Sequence, residues 1–239
     1  MRSPMMNDEG QRLTALAEYH IMDSAPEEAF DDLATIASHI CGCPIATITF
    51  VDDKRQWFKA RIGIESTETP REHSFCAHAI LEPGTLMIVP DATRDPRFSD
   101  NPLVTAEPNI RFYAGAPLLT PKGDPLGTIC VIDRAQRQLA PGQRPALLAL
   151  ARQASQLLEL RRISRSLAVA LDNVRTLEGL LPICAHCKSI RDEGDEWMRI
   201  ESYLSKHTPA DFTHGICPDC AAKLYPDLDL TNSKRKTAG

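Results

Sequence analysis

The 239-residue chain contains no run of about 18 apolar residues, the length a membrane-spanning helix needs. Its opening stretch, MRSPMMNDEGQR, has neither the basic region nor the apolar run of an export signal. These absences lead us to expect a cytoplasmic protein with no membrane partner. The chain also lacks a basic excess: 27 Lys and Arg stand against 32 Asp and Glu, a formal net charge of −5. Clustered positive charge is the footprint of nucleic-acid binding, so nucleic acid is not expected as a main partner. Disulfides are set aside on a different ground. In a reducing cytosol the eight cysteines are expected to be buried thiols or metal ligands.

What is present suffices for a core. Apolar residues make up 43% and charged residues 25% of the chain, and the length suits one large domain or two modest ones. The most informative motif lies near the C-terminus. Cys184, Cys187, Cys217 and Cys220 form two knuckles, ICAHC and ICPDC, with spacing C-x2-C-x29-C-x2-C. Each knuckle puts two sulfurs within reach of one ion, and four thiolates make the closed tetrahedral set that structural Zn2+ prefers. A closed set leaves no position for water or substrate, so it points to structure rather than catalysis. The competing reading of CxxC is a redox pair, which opens a helix after a strand; the residues around Leu181 lack that pattern. His186 and His214 are expected outside the ligand set. Between the knuckles, Trp197, Ile200 and Leu204 fall on one helical face with Tyr203 beside it, and Phe212 and Tyr225 add a little apolar area. That is too small a core for about 45 residues without a metal staple.

Residues 1–23 read as an N-terminal segment with one short helix around Leu13 to Ile21. Ser24-Ala25-Pro26-Glu27 has the form of a capping box. The helix after it places Phe30, Leu33, Ala34, Ala37, Ile40 and Cys41 on one face and stops at Gly42. Ala46, Ile48 and Phe50 alternate along a first strand, and Phe58, Ala60 and Ile62 are expected to share one face of a second. A short helix follows over His73 to Leu81, a strand over Leu86 to Val89, and an irregular polar loop over Asp91 to Asn109. Arg111 to Leu119 and Leu126 to Ile132 then read as a hairpin around Pro121-Lys122-Gly123-Asp124.

From about residue 141 the period becomes helical, and no proline or glycine interrupts it between Pro145 and Gly179. Leu150, Leu157, Ser164, Leu171 and Glu178 take one heptad core position; Gln153, Leu160, Leu167, Val174 and Leu181 take the other. Seven of these ten are apolar, which predicts a coiled-coil seam over 151–181 and a parallel homodimer. The alternative is a single helix packed on its own domain, and the turns from Leu147 to Leu158 are expected to do both.

The order helix, two strands, short helix, strand, long loop, hairpin, helix predicts an α+β fold, an antiparallel sheet with helices packed on it. In that order, TITFVDDKRQWFKARIG, EHSFCAHAI, IVPDATRDPRFSDNPLV, IRFYAGAPLLTPKGDPLGTICVID and ALLALARQASQLLELRR resemble a bacterial GAF domain. The domain is expected over 24–150, a helical linker over 151–181, a zinc cassette over 182–226 and a disordered tail over 227–239. The resemblance implies a sensing and dimerisation module, with a pocket on one side of the sheet walled by the short helix and the long loop. It implies Phe58, Phe75, Cys76, Phe112 and Tyr113 as candidate lining residues, and Arg97 as a contact for an anionic ligand. The plainer role of the phenylalanines is core. For Cys76 it is that of a buried inert thiol, because reactivity needs a lowered pKa. Asp91, Asp95 and Arg97 are expected to fix the loop through Asx-turns and a carboxylate–guanidinium fork. His78 follows Cys76 by two residues, which on a helix turns it away and disfavours a Cys–His pair. The segment from LLPICAHC to LYP resembles a cassette that follows receiver, PAS or GAF domains in bacterial signalling proteins.

The chain has neither the nucleotide-binding motifs of a histidine kinase nor a GGDEF-type cyclase motif. We therefore expect a non-enzymatic sensory adaptor: a small ligand or redox change at the pocket shifts helix packing, and the dimeric helix passes it to a zinc cassette that meets an unidentified signalling protein. Two alternatives of other classes stand beside it. One is a thiol reductase acting on free methionine sulfoxide, although Cys41, Cys43, Cys76 and Cys130 do not reproduce that family's motif. The other is a nucleic-acid-binding zinc protein, opposed by five Lys/Arg against seven Asp/Glu over 182–225.

Overall fold

The computed structural model describes residues 5–6, 8–175, 181–192 and 194–226. Two compact units make up the chain, Met1–Leu167 and Ala168–Gly239. The strands of the first are β1 (Ile45–Val51), β2 (Arg55–Ile62), β3 (Glu68–Pro70), β4 (Met87–Val89), β5 (Phe112–Leu119) and β6 (Pro125–Asp133). They form one antiparallel sheet in the order β3-β2-β1-β6-β5-β4. The helices are α1 (Glu9–Glu18), α2 (Glu28–Cys41), α3 (Phe75–Ala79), α4 (Pro102–Thr105) and the 33-residue α5 (Gln143–Arg175). This is the expected α+β arrangement.

Alternation along the strands sorts the side chains into two cores. Ala46, Ile48 and Phe50 of β1, Phe112, Ala114 and Ala116 of β5, and Ile129 and Val131 of β6 pack against α1, α2 and the first turns of α5. Those helices contribute Leu16, Phe30, Ala34, Ala37, Leu147, Ala151 and Ala154. On the other face Val51, Tyr113 and Cys130 meet Phe75, Cys76, Ile80, Phe98, Val104 and Ile110. Because both faces are covered, β1 is buried along its whole length, and its sequence reads as nearly continuous apolar residues. Gly42 closes α2 at φ 61°, a left-handed conformation that glycine adopts without a Cβ clash.

Several local expectations are corrected. Ser24 does not cap α2; Glu27 is the N-cap and makes no side-chain cap bond. Ser24 Oγ, Ala25 O and Glu27 Oε1 instead accept bonds from the buried Lys59 ammonium, at 2.9 Å from Ser24 and 2.6 Å from Glu27. A buried ammonium without such acceptors would be costly, and this demand outweighs local capping. Phe58 does not share a face with Ala60 and Ile62. The β1–β2 register shifts between Ile48 and Thr49, a bulge that turns Phe58 to the opposite side from Ala60. The polar loop contains α4, capped by the Asn101 side chain, and β3 had no periodic signature to announce it. α1 starts four residues ahead of Leu13.

α5 buries Leu147, Ala151, Ala154 and Leu158 against the first core. Further along, Leu160, Ile163, Leu167 and Leu171 are all at least half exposed. The single chain does not show a coiled coil. Glu178, the side chain of Val174 and the tail from residue 227 lie outside the described residues. Among the described residues no helix is long and apolar enough to cross a membrane.

The second unit contains β7 (Ile190–Arg191) paired with β8 (Trp197–Met198), α6 (Ile200–His207) and α7 (Pro218–Leu224). Trp197 lies on a strand rather than on the helical face expected for it, its exposed ring against the Arg191 guanidinium. Among the described residues of this unit the buried apolar side chains are Ile190, Tyr203 and Ala221.

Candidate functional site: a cavity beneath the sheet

A cavity of about 890 Å3 opens on the α3 side of the sheet. Its floor is the sheet itself, through Ile45 and Thr47 of β1, Gln56 and Phe58 of β2, Tyr113 of β5 and Ile132 of β6. Its rim comes from residues 63–66, Thr69, α3, Leu103 of α4 and the segment Glu107 to Ile110. The walls mix apolar side chains with polar ones, Glu65, Glu107 and Arg134 among them, and a concave site with both is the usual make-up of a small-molecule site. Thr69 supplies one of those polar groups: its Oγ1 is buried and has no hydrogen-bond partner among the described residues. A buried hydroxyl left in that state costs free energy.

Four of the six residues named from the sequence stand on this wall: Phe58, Phe75, Cys76 and Tyr113. Phe112 does not. It is the strand neighbour of Tyr113, so the pleat turns it into the core beneath α1 and α2. Arg97 does not line the cavity either. Its guanidinium forks onto Asp95, Nε to Oδ1 at 3.0 Å and Nη2 to Oδ2 at 2.7 Å, and covers the outer side of the Phe98 ring. Asp95 Oδ1 also accepts from the Arg97 amide and Asp91 Oδ1 from the Thr93 amide, the turn chemistry expected of this loop. The two calls on Phe112 and Arg97 as lining residues are thus corrected by strand direction and by a local carboxylate.

The rear wall is an aromatic stack. Phe75 lies between Phe98, 4.0 Å away, and Tyr113, 5.2 Å away, both in stacked geometry. α3 is set in place by Ser74, whose hydroxyl accepts from the Ala77 amide and donates to Gln56 Oε1. Tyr113 folds along β5 over Gly115, where a Cβ would sit 2.1 Å from the Tyr113 hydroxyl oxygen. Glycine there lets that hydroxyl reach the Cys76 sulfur, 3.3 Å away. His78 faces Phe98 edge-on at 4.8 Å, in keeping with the expectation that it does not serve Cys76. Burial and the Arg97 charge hold the His78 imidazole below its ordinary pKa.

Behind Cys76 lies a residue that sequence reasoning did not place in the site. Cys130 of β6 has its sulfur 3.9 Å from that of Cys76 and 3.1 Å from the Thr47 hydroxyl. No linear motif joins residues 54 positions apart; the only available signal was Cys130 sharing strand parity with Thr128, opposite the core residues Ile129 and Val131. Burial opposes ionisation of Cys76. Hydrogen bonds from Cys130, Thr128, Thr49 and Tyr113 outweigh it and hold this thiol below its ordinary pKa, while Cys130 is held well above. Burial pushes the two remaining thiols of the unit up, Cys43 to about 12.

In the second unit Cys184 is half-buried, and Cys187, Cys217 and Cys220 are exposed. The Cys187 sulfur lies 3.4 Å from the Ser189 hydroxyl, which with Cys184 draws its thiol to about 7. Thiols pair within each knuckle, but among the described residues no three His, Cys, Asp or Glu side chains gather as a metal-holding group. The donor chemistry suits zinc and the arrangement does not yet form its tetrahedron.

The GAF domain family matches residues 25–158. A cyclic di-GMP phosphodiesterase of Pseudomonas aeruginosa is 44% identical over 155 residues, covering 62% of this chain and 26% of that protein. The chain thus spans about a quarter of the length of this curated relative. Among solved structures, the GAF domain of a phosphoenolpyruvate-protein phosphotransferase from Coxiella burnetii superposes with a TM-score of 0.50 at 13% identity, covering 65% of this chain and 95% of that one. It shares the fold. A free methionine-R-sulfoxide reductase from Neisseria meningitidis reaches 0.48 at 16% identity, over 65% of this chain and 88% of that one. The relative's name corrects one expectation. The absence of kinase and cyclase motifs led to a non-enzymatic chain, yet a protein 44% identical in this region is named for an enzymatic activity. Motif absence over a sensory domain says nothing of the catalysis that domain accompanies.

Proposed function

The chain belongs to the GAF domain family, and on that premise we propose that its first unit is the sensory module of a bacterial signalling protein, taking a small molecule into the cavity beneath the sheet. The observation that carries this reading is the cavity of about 890 Å3 with the unpartnered Thr69 hydroxyl in its wall. A ligand whose apolar body lies along the sheet floor at Phe58 and the edge of the Phe75 stack, and toward which the Thr69 hydroxyl turns to hydrogen-bond, fits both features. The test is a screen of small metabolites by thermal shift on the full chain. The expected hit raises the first unit's melting point and loses most of that effect in Thr69→Val. A hit list unaffected by any cavity substitution would oppose the reading.

The output side is proposed on sequence grounds. The exposed apolar positions Leu160, Leu167 and Leu171 fit a parallel homodimer seam along α5. The spacing of Cys184, Cys187, Cys217 and Cys220 fits one structural Zn2+ per chain, drawing the two knuckles together and presenting a surface to a signalling partner. A second reading follows from the name of the Pseudomonas relative: the module governs cyclic di-GMP hydrolysis. Assaying hydrolysis of cyclic di-GMP by the full chain, alone and with candidate cavity ligands, tests it.

A further inference from the structure

We propose that Cys76 and Cys130 form a reversible disulfide when a hydroperoxide enters the cavity, so that the domain senses peroxide through its own sulfur. The proposal deepens the sensory reading and rests on it in one respect, because the cavity is the route by which the oxidant reaches Cys76.

Three observations converge on this pair. Cys76 is part of the cavity lining with 1% of its surface exposed, and Cys130 lies behind it with none. Their sulfurs are 3.9 Å apart, already in contact, and a bond requires closure to about 2 Å. The surroundings of the pair are polar: the Tyr113 hydroxyl donates to Cys76 at 3.3 Å, the Thr47 hydroxyl lies 3.1 Å from Cys130, and the Thr49 and Thr128 hydroxyls pair with each other on the same strands. Inert core cysteines sit among apolar groups; Cys41 and Cys43 lie in the core beneath α2, where burial raises their thiols. The hydrogen bonds that hold the Cys76 thiol below its ordinary pKa, and the neighbouring sulfur and burial that hold Cys130 above, agree with the geometry.

The steps balance. The Cys76 thiolate attacks one oxygen of the hydroperoxide. A sulfur–oxygen bond forms, the oxygen–oxygen bond breaks, and the departing alkoxide or hydroxide takes a proton to leave as alcohol or water. Cys76 is oxidised to sulfenic acid and the peroxide is reduced by two electrons. The Cys130 sulfur then attacks the Cys76 sulfur. The sulfur–sulfur bond forms, the sulfur–oxygen bond breaks, and the hydroxyl leaves as water with the Cys130 proton. A dithiol reductant returns both thiols by exchange. Closing the sulfurs draws α3 toward β6 and changes the wall that Phe75 and Tyr113 share.

The experiment uses the full-length chain. It is exposed to hydrogen peroxide, quenched, blocked with N-ethylmaleimide in denaturant and mapped by mass spectrometry without reduction. We expect a linked peptide pair joining Cys76 to Cys130 that dithiothreitol abolishes. Cys76 is expected to oxidise at least roughly tenfold faster than Cys43. In Cys130→Ser the product becomes a Cys76 sulfenic acid that dimedone captures. Should that variant fail to fold, the wild-type map decides alone. Cys76 and Cys130 both still carrying maleimide, under peroxide that fully oxidises glutathione added to the same sample, would overturn the proposal. So would equal oxidation rates at Cys76 and Cys43. Either result leaves ligand binding at Thr69 untouched, so the two readings fail separately.

Discussion

The first unit buries phenylalanines on both faces of a six-stranded sheet; the second, among its described residues, buries Ile190, Tyr203 and Ala221 and leaves Ile183, Trp197, Phe212, Ile216, Leu224 and Tyr225 at least about two-fifths exposed. A sheet with two covered faces supplies its own stability from apolar burial. A segment with two-residue strands and two short helices cannot, and small units of this kind draw on a metal, a disulfide or a partner. The contrast teaches that the two halves of the chain are held by different physics, so they should respond to different insults.

The largest expected effect follows from the zinc site proposed for the second unit, and it is metal removal. With zinc contributing about 10–16 kcal/mol of apparent folding energy in small cassettes, a chelator is expected to abolish amide-exchange protection in α6 and α7 and leave that of β1 and β6 unchanged. Equal protection before and after stripping would break the comparison. Next comes core truncation. Phe50→Ala, at a fully buried site, is expected to destabilise the first unit by about 3–5 kcal/mol in urea titration. Phe212→Ala, at 41% exposure, is expected to move the unfolding of the second unit by about 0.5 kcal/mol or less.

The third effect is electrostatic and confined to the first unit. Glu9 accepts from Arg12 and Arg71, both buried, and these guanidiniums outweigh its own burial, holding its carboxyl at about 2 against an ordinary 4.5. The folded-state value lies below the unfolded one. Its contribution is therefore complete above pH 4.5 and drains away as pH falls toward 2. Glu9→Gln is expected to cost about 3 kcal/mol at neutral pH, since the buried Arg12 and Arg71 guanidiniums lose a carboxylate they share, and to flatten the acid limb of the stability profile. An unchanged acid limb would show that the cluster is not the titrating element. The smallest effect on stability belongs to α5: Leu160→Lys with Leu167→Lys is expected to leave the first unit's unfolding within about 0.5 kcal/mol and to convert a dimer to a monomer in sedimentation. A wild-type chain already monomeric at working concentration would remove the seam from the account.

The sequence carried the strands whose neighbours in space are also neighbours in pattern. β1, the β5–β6 hairpin and the end of α2 at Gly42 follow from alternation and from one left-handed glycine. What escaped had its cause elsewhere in the chain. Ser24 and Glu27 look like a cap, but Lys59, over 30 residues away, claims them. Phe58 changes sides because of a bulge that no composition announces, and β3 exists through pairing with β2. The site divides in the same way. Phe58, Phe75, Cys76 and Tyr113 line the cavity as the family resemblance implied, and Phe112 fails by the simple alternation that placed Tyr113. Cys130 came to the site only through the sheet register, opposite Thr47 of β1.

The account depends most on the cavity holding a guest. Native mass spectrometry of the full chain, after incubation with a bacterial small-molecule extract and gel filtration, measures this directly. The account predicts one added small-molecule mass per chain in the wild type and none in Ile64→Trp, which puts an indole into the cavity from its rim. The bare chain mass in both, or the same adduct in both, would contradict it.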